Sequence, residues 1–199
     1  MSLIYKKTVP HGEFHVYSQK PDIPFTCVKQ IHSDIIVDSK SELSHYKADG
    51  IISSNGSKNN FNLCIVTADC LPVYICGEKG YAMIHAGWRG LHKKIIQNEK
   101  IKSILPTYAY IGPHIGQKNY QVLDEFHTYF PHSNCLEVDP EDTQRFKLSL
   151  LKEAQYQLKQ INAKIIIENA DICTFDHKEL HSFRQNSTTS RNWNIFVYR

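Results

Sequence analysis

Three residues of types suited to chemistry sit where apolar runs break into turns. His32 lies in Lys29-Gln30-Ile31-His32-Ser33-Asp34, Cys70 in Thr67-Ala68-Asp69-Cys70-Leu71-Pro72, and His85 in Ile84-His85-Ala86-Gly87-Trp88-Arg89-Gly90. Functional groups gather at strand ends, where a rigid scaffold meets an open loop. Two histidines and one cysteine fill three positions of a tetrahedral zinc and leave the fourth for water or substrate, as a catalytic zinc requires. Such a zinc brings the pKa of bound water towards neutrality. The three residues are far apart in sequence and form no short ligand motif, so plainer readings stand beside this one. His85 could be a satisfied core histidine, Cys70 an inert buried thiol, Gly87 and Gly90 the makings of a tight strand-to-helix turn, and Trp88 core packing. A third reading makes Cys70 a nucleophile and His85 its base, with backbone amides at the following helix start as an oxyanion hole. It competes with the zinc reading, because a metal-bound thiolate is not a free nucleophile.

Two neighbours add to the set. Arg89 falls in the first turn of a predicted helix, where the helix dipole disfavours cations. A cation held there suits an anionic ligand such as phosphate, or else a surface ion pair. Asp69 could orient a ligand histidine from behind or cap a turn.

The elements that must position these groups are mostly short buried strands. Apolar runs at Cys27-Val28, Ile35–Val37, Gly50–Ile52, Leu63–Val66, Val73–Cys76, Tyr81–Ile84, Ala109–Ile111 and Ile165–Ile167 read as strands, and Trp193–Tyr198 as a closing strand. Pro72 holds Leu71 extended. One predicted helix starts near Trp88 and carries Leu91, Ile95 and Ile101 on one face. Lys93, Lys94, Lys100 and Lys102 lie towards its C-terminal half, the favourable end. A second spans about Gln144 to Ile161, with Leu148, Leu151, Ala154, Leu158 and Ile161 aligned. The polar stretch Ser53 to Asn60 reads as a hairpin loop between two strands. Strands outnumber helices, which predicts an α/β chain of the α+β type with mixed β-sheets.

Length and composition narrow the class. A chain of 199 residues makes one domain at roughly 150 residues per domain, able to bury roughly 70% of its unfolded surface. A hydrophobic share of 41% and a charged share of 22% describe a folded globule. A net charge of +3 is too mild for nucleic-acid binding. No run of about 18 apolar residues predicts a membrane span, and Met1 to Phe14 lacks the apolar core of a signal peptide. A cytoplasmic location follows, where thiols stay reduced. The six cysteines, Cys27, Cys64, Cys70, Cys76, Cys135 and Cys173, contain no CxxC pair, against a disulfide framework or a zinc ribbon.

The runs at 67–72 and 85–90, with Gln30-Ile31-His32 and Ala48-Asp49-Gly50, resemble the YfiH-like family, whose members are also labelled laccase-domain proteins, polyphenol oxidases and purine nucleoside phosphorylases. Ile111-Gly112-Pro113-His114-Ile115-Gly116, Tyr120-Gln121-Val122, Cys173-Thr174, Ser182-Phe183-Arg184 and Arg191 follow in the family's order. The resemblance implies a four-layer α/β/β/α single domain and a zinc site at His32, Cys70 and His85. It implies phosphorolysis of adenosine, inosine, guanosine and methylthioadenosine, a transferase reaction, and hydrolytic deamination of adenosine. Purine nucleosides and phosphate are then the partners, with no nucleic acid, membrane or protein partner expected. Asp69, Cys70 and Arg89 are the expected catalytic residues, with Arg89, Arg184 and Arg191 binding phosphate. Family members have also been proposed as copper oxidases and as cytoplasmic amidases acting on cell-wall precursors, and a non-catalytic metal-binding module is a further alternative. The copper oxidase reading is rejected, since multicopper sites need many histidines and usually a methionine. Here no His-x-His pair occurs, and Met83 is the one internal methionine. The chain departs from the family pattern in a short portion before Gln30, in His181-Ser182-Phe183-Arg184-Gln185, in Gln121, and in Ser190 before Arg191. Whether His114 or His181 reaches the site is left open by the sequence.

Overall fold

The computed structural model of the chain describes residues 3–39, 43–54, 61–132 and 134–199. In chain order its strands are β1 Leu3–Val9, β2 Gly12–Tyr17, β3 Ile36–Asp38, β4 Gly50–Ser54, β5 Leu63–Thr67, β6 Leu71–Gly77, β7 Gly80–Ala86 and β8 Pro106–Ile111. Then follow β9 Gln121–Val122, β10 Leu136–Asp139, β11 Asp142–Leu148, β12 Ile166–Asn169 and β13 Asn192–Tyr198. The helices are α1 Trp88–His92, α2 Glu99–Ser103, α3 Phe126–Tyr129, α4 Leu150–Ile161 and α5 Phe183–Asn186.

A six-stranded mixed sheet runs β12-β8-β6-β7-β4-β3, a four-stranded antiparallel sheet β1-β2-β13-β5, and a small three-stranded sheet β10-β11-β9. Period-two alternation sorts the six-stranded sheet's side chains between two cores. Leu71, Val73 and Ile75, Ala82, Ile84 and Ala86, and Ala109 and Ile111 face the helix side, where Leu91, Ile95, Ile101, Leu150, Ala154 and Leu158 meet them. Tyr74 and Cys76, Tyr81 and Met83, and Tyr108 and Tyr110 face the other sheet and pack on Phe14, Val16, Leu63, Ile65 and Phe196. Burial on both faces is why these strands read as unbroken apolar runs. The result is a single α+β domain with mixed sheets. Among the described residues no helix is long and apolar enough to cross a membrane.

Several elements differ from expectation. The helix expected from Trp88 onward is three pieces. Lys94 takes a left-handed φ of 59°, a 3-10 turn covers Ile95–Gln97, and Asn98 caps α2 through Oδ1 to the Lys100 amide. The helix expected from Gln144 begins at Leu150, because Ser149 caps it through Oγ to the Lys152 amide, and Gln144 to Leu148 belong to β11. Cys27-Val28 lies in no strand; Thr26 and Lys29 on either side make single bridges to Leu63 and Lys47. The stretch 53–60 does not join a hairpin, since β4 and β5 belong to different sheets; residues 55–60 lie outside the described residues. The hairpin β1–β2 and the sheet β9–β11 were not expected. Their exposed, charged faces carry little apolar pattern.

Candidate metal centre and anion cleft

The chain crosses from one sheet to the other at the site. β5 ends in the four-stranded sheet at Thr67, Ala68-Asp69-Cys70 bridges the gap, and β6 begins at Leu71. His85 follows Tyr81 and Met83 on the intersheet face of β7 and lies at its outer end. His32 sits in a loop with φ 58°, beside a clamp in which the Gln30 amide exchanges two 2.8 Å hydrogen bonds with the Val66 backbone. One donor atom from each of His32, Cys70 and His85 lies within 4.8 Å of the others. The imidazoles meet edge to face with centroids 4.7 Å apart.

Asp49 organises this set. It is completely buried and joins both histidine-bearing segments. Its Oδ1 accepts from His85 Nδ1 at 2.7 Å and from the His32 amide at 3.0 Å. Its Oδ2 accepts from the Ser33 amide and from Ser33 Oγ at 2.7 Å. Burial opposes its charge, yet His85 and Ser33 together bring the Asp49 carboxyl to about 2. A carboxylate can only accept, so Nδ1 of His85 carries a proton, and Nε2 is the nitrogen available to a metal, which must displace the second proton that the imidazolium carries. Burial likewise opposes a thiolate at Cys70, but His85 and His32 outweigh it and bring the thiol down to about 6. His85, which burial alone would push down, is raised to about 9 by Cys70 and Asp49.

The donors fit a metal. A Cβ built on Gly87 would stand 2.8 Å from Cys70 Sγ and 3.4 Å from the His32 ring. Gly87 has an ordinary extended backbone, φ −77° and ψ 171°. Its value here is therefore the space it leaves between two donors. Two imidazoles and a thiolate suit zinc by donor type.

The donors open into a cleft of about 630 Å³ lined also by Asp69, Trp88, Arg89, Tyr120, Phe183, Arg184 and Arg191. All the expected site residues thus line one cleft. The Arg89 guanidinium lies 4.3 Å over the Trp88 ring and that of Arg184 4.9 Å over Tyr120. Arg191 is held through NH1 by the Thr188 and Ser190 carbonyls. Among the described residues none of the three forms an ion pair with a carboxylate, whereas Arg145 and Arg199 do.

Asp69 stands apart from the role expected of it. At φ 92°, its Oδ1 accepts from Thr174 Oγ1 at 2.7 Å and its Oδ2 from the Arg184 amide at 2.6 Å. It ties the segment carrying Phe183 and Arg184 to the Cys70 turn, while Asp49 meets the histidine. The signal for Asp49 was present in Ala48-Asp49-Gly50, but a buried aspartate before a strand is indistinguishable from a turn residue without its partners. His114 and His181 do not line the cleft. His114 is buried and donates to the Gly112 carbonyl; His181 Nε2 pairs with the Ser18 carbonyl.

A mixed sheet facing an antiparallel one, with a His-Cys-His cluster at their seam, defines a metal-binding laccase-like domain. The chain belongs to this family: the model described as multi-copper polyphenol oxidoreductase laccase matches residues 14–199. Among individual relatives, it is 29% identical over 172 residues to a Campylobacter jejuni protein named purine nucleoside phosphorylase, spanning 81% of this chain and 72% of that one. Escherichia coli YfiH, which carries the same name, is 29% identical over 143 residues, or 64% of this chain and 55% of the relative. The crystal structure of a Neisseria meningitidis protein superposes with a TM-score of 0.76 at 25% identity, over 88% of this chain and 75% of that one.

Proposed function

We propose that this chain is a zinc-dependent purine nucleoside phosphorylase that also deaminates adenosine. The observation that carries the reading is one cleft holding a His32-Cys70-His85 donor set beside three arginines that, among the described residues, have no carboxylate partner. The names of the relatives agree with its phosphorylase part. Inosine, guanosine and methylthioadenosine join adenosine as proposed substrates, and the cytoplasm is the proposed compartment.

In phosphorolysis a phosphate oxygen forms a bond to the ribose C1′ as the bond from C1′ to the base nitrogen breaks, and the base leaves with a proton. The chain's tasks are to hold the phosphate dianion, orient the ribose and exclude water. Arg89 suits the first task, because stacking on Trp88 fixes its planar fork at low entropic cost. Arg184 and Arg191 add positive charge to the same cleft, and Asp69, with both oxygens engaged, fixes the backbone around Arg184. A zinc ion held by His32, Cys70 and His85 would act as a Lewis acid towards substrate or water oxygen. The laccase label of the family model is not extended to this chemistry, since the donors are one cysteine and two histidines without methionine.

Purified protein loaded with zinc and given adenosine or inosine tests the reading. Free base should form only when phosphate is present, one zinc should bind per chain, and a chelator should stop turnover. Loss of activity in Cys70→Ser with no effect of the chelator would point instead to a thiol amidase. Metal-loaded protein that leaves every purine nucleoside intact refutes the proposal.

A further inference from the structure

Three large aromatic side chains line the cleft, and they are not equally available. Trp88 has the Arg89 guanidinium 4.3 Å over its ring and Tyr129 stacked at 5.3 Å. Tyr120 lies under the Arg184 guanidinium at 4.9 Å and packs against the helix-side core. Phe183 is different. It is 57% exposed, and among the described residues it makes no ring contact and has no cation over its face. In a cleft wall beside cationic side chains, such a phenyl ring leaves a face that a planar ligand can cover.

Its backbone is nonetheless fixed from both sides. Ser182, fully buried, caps α5 through Oγ to the Gln185 amide at 3.2 Å. The Arg184 amide donates to Asp69 Oδ2 at 2.6 Å. The Gln185 side chain donates to the Phe175 carbonyl at 2.9 Å. The ring is therefore exposed but anchored one residue from Asp69, and Asp69 is the neighbour of Cys70. A rigid, uncovered π-face next to guanidinium groups is how proteins hold a flat heterocycle without reading its edge.

We propose that Phe183 is the platform on which the purine ring of the substrate lies, while the arginines take the phosphate. This inference rests on the nucleoside reading above and adds a specificity-determining residue to it. It assigns the aromatic walls distinct work: Trp88 and Tyr120 hold arginines flat, and Phe183 holds the base. Because stacking is tolerant of edge substituents, such a platform accepts adenine and hypoxanthine alike.

Phe183→Leu keeps apolar bulk and removes the π-face, and Phe183→Trp restores a face. With zinc-loaded protein, KM for inosine should rise about 5- to 150-fold in Phe183→Leu, the equivalent of ~1–3 kcal/mol for one stacked base. KM for phosphate and kcat should change less than about twofold, as expected when only ground-state binding of one substrate is removed. Phe183→Trp should return the inosine KM to the wild-type value. Calorimetric titration with inosine in the absence of phosphate should show the same order of affinities. Wild-type turnover with an unchanged inosine KM in Phe183→Leu overturns the platform and leaves the phosphorylase reading standing. The same holds if Phe183→Leu changes only the oligomeric state, which would make the ring a contact between copies. Wild-type protein that binds inosine without cleaving it, with binding lost in Phe183→Leu, supports the platform and refutes phosphorolysis. Wild-type protein that neither binds nor cleaves inosine refutes both.

Discussion

Replacing Asp49 with asparagine tests the organisation of the metal centre most directly. Aspartate and asparagine have nearly the same shape, so the substitution changes hydrogen-bonding character with little change of volume. Asp49 is an acceptor at every contact: His85 Nδ1, the Ile31, His32 and Ser33 amides, and Ser33 Oγ. An asparagine must turn its NH2 towards one side. If Nδ2 faces Ser33, the Ser33 amide confronts it and loses its acceptor, and the Ser33 hydroxyl must reverse from donor to acceptor. If it faces His85, the imidazole loses its acceptor and its fixed tautomer. Hydrogen bonds to a charged group contribute ~1.5–3 kcal/mol each, so two of them lost or exchanged for neutral ones amount to at most about 3–6 kcal/mol. That is a large part of the ~5–15 kcal/mol stability usual for a domain. Loss of the histidine's partner should also weaken zinc by about 10- to 100-fold. Urea unfolding of metal-free protein reads the first effect, and competition with a chromophoric chelator reads the second. Ser33→Ala, which removes the hydroxyl bond to Asp49 and the acceptor of the Ile35 amide, should cost ~1.5–3 kcal/mol and leave zinc affinity nearly intact. An Asp49→Asn protein with wild-type urea midpoint and wild-type zinc affinity would refute this account.

Three further outcomes follow from the geometry. Gly87→Ala places a methyl 2.8 Å from Cys70 Sγ; overpacking of this kind costs about 1–3 kcal/mol, and zinc affinity measured by chelator competition should fall in the folded protein. Arg89→Ala should raise KM for phosphate tenfold or more while sparing KM for the nucleoside, and Arg89→Lys should fail to restore it, because an ammonium cannot reproduce a stacked fork. Asp139, bonded to Lys147 at 2.9 Å, to Gln121 Nε2 and to the Glu141 amide, titrates at about 2, held there chiefly by Lys147. In the unfolded chain the same carboxyl titrates near ~3.9. Its stabilisation is therefore complete above about pH 4 and disappears as pH falls towards 2. Urea midpoints measured across that window should show a shallower slope in Asp139→Asn.

The central strands were legible because they are buried on both faces and consist of unbroken apolar residues, as in β6 and β7. The donor triad was legible because its residue types are chemically distinctive and lie at strand ends. The helix breaks at Lys94 and Ser149 were not legible. Apolar spacing continued across both, and one left-handed backbone angle and one serine cap decided the outcome. The pairing partner of β5 was equally hidden, since nothing local to Leu63–Thr67 points to a strand starting at Asn192. The division of labour between Asp49 and Asp69 was invisible for the same reason. Their partners, Ser33 and His85 for one and Thr174 and Arg184 for the other, are identified only by tertiary contact. Arg89 was singled out as a cation in the first turn of a long helix, but α1 is a single turn that has Arg89 in its last turn too, so that signal does not survive; Phe183 looked like one more apolar residue until its exposure was known.

The position of β13 has a consequence for how the site comes into being on the ribosome. His32, Cys70 and His85 all lie in the first 85 residues, so a nascent chain carries the full donor set early. Yet β5, which leads into Cys70, has its ladder partner in β13, and β13 also links β5 to the hairpin β1–β2. At about 5–20 residues per second, the roughly 107 residues between His85 and Asn192 take about 5–21 s to synthesise. During that interval three strong zinc donors are present without the sheet that spaces them. Phe183, Arg184 and Arg191 arrive with β13, so the cleft wall they form is completed only as the scaffold closes.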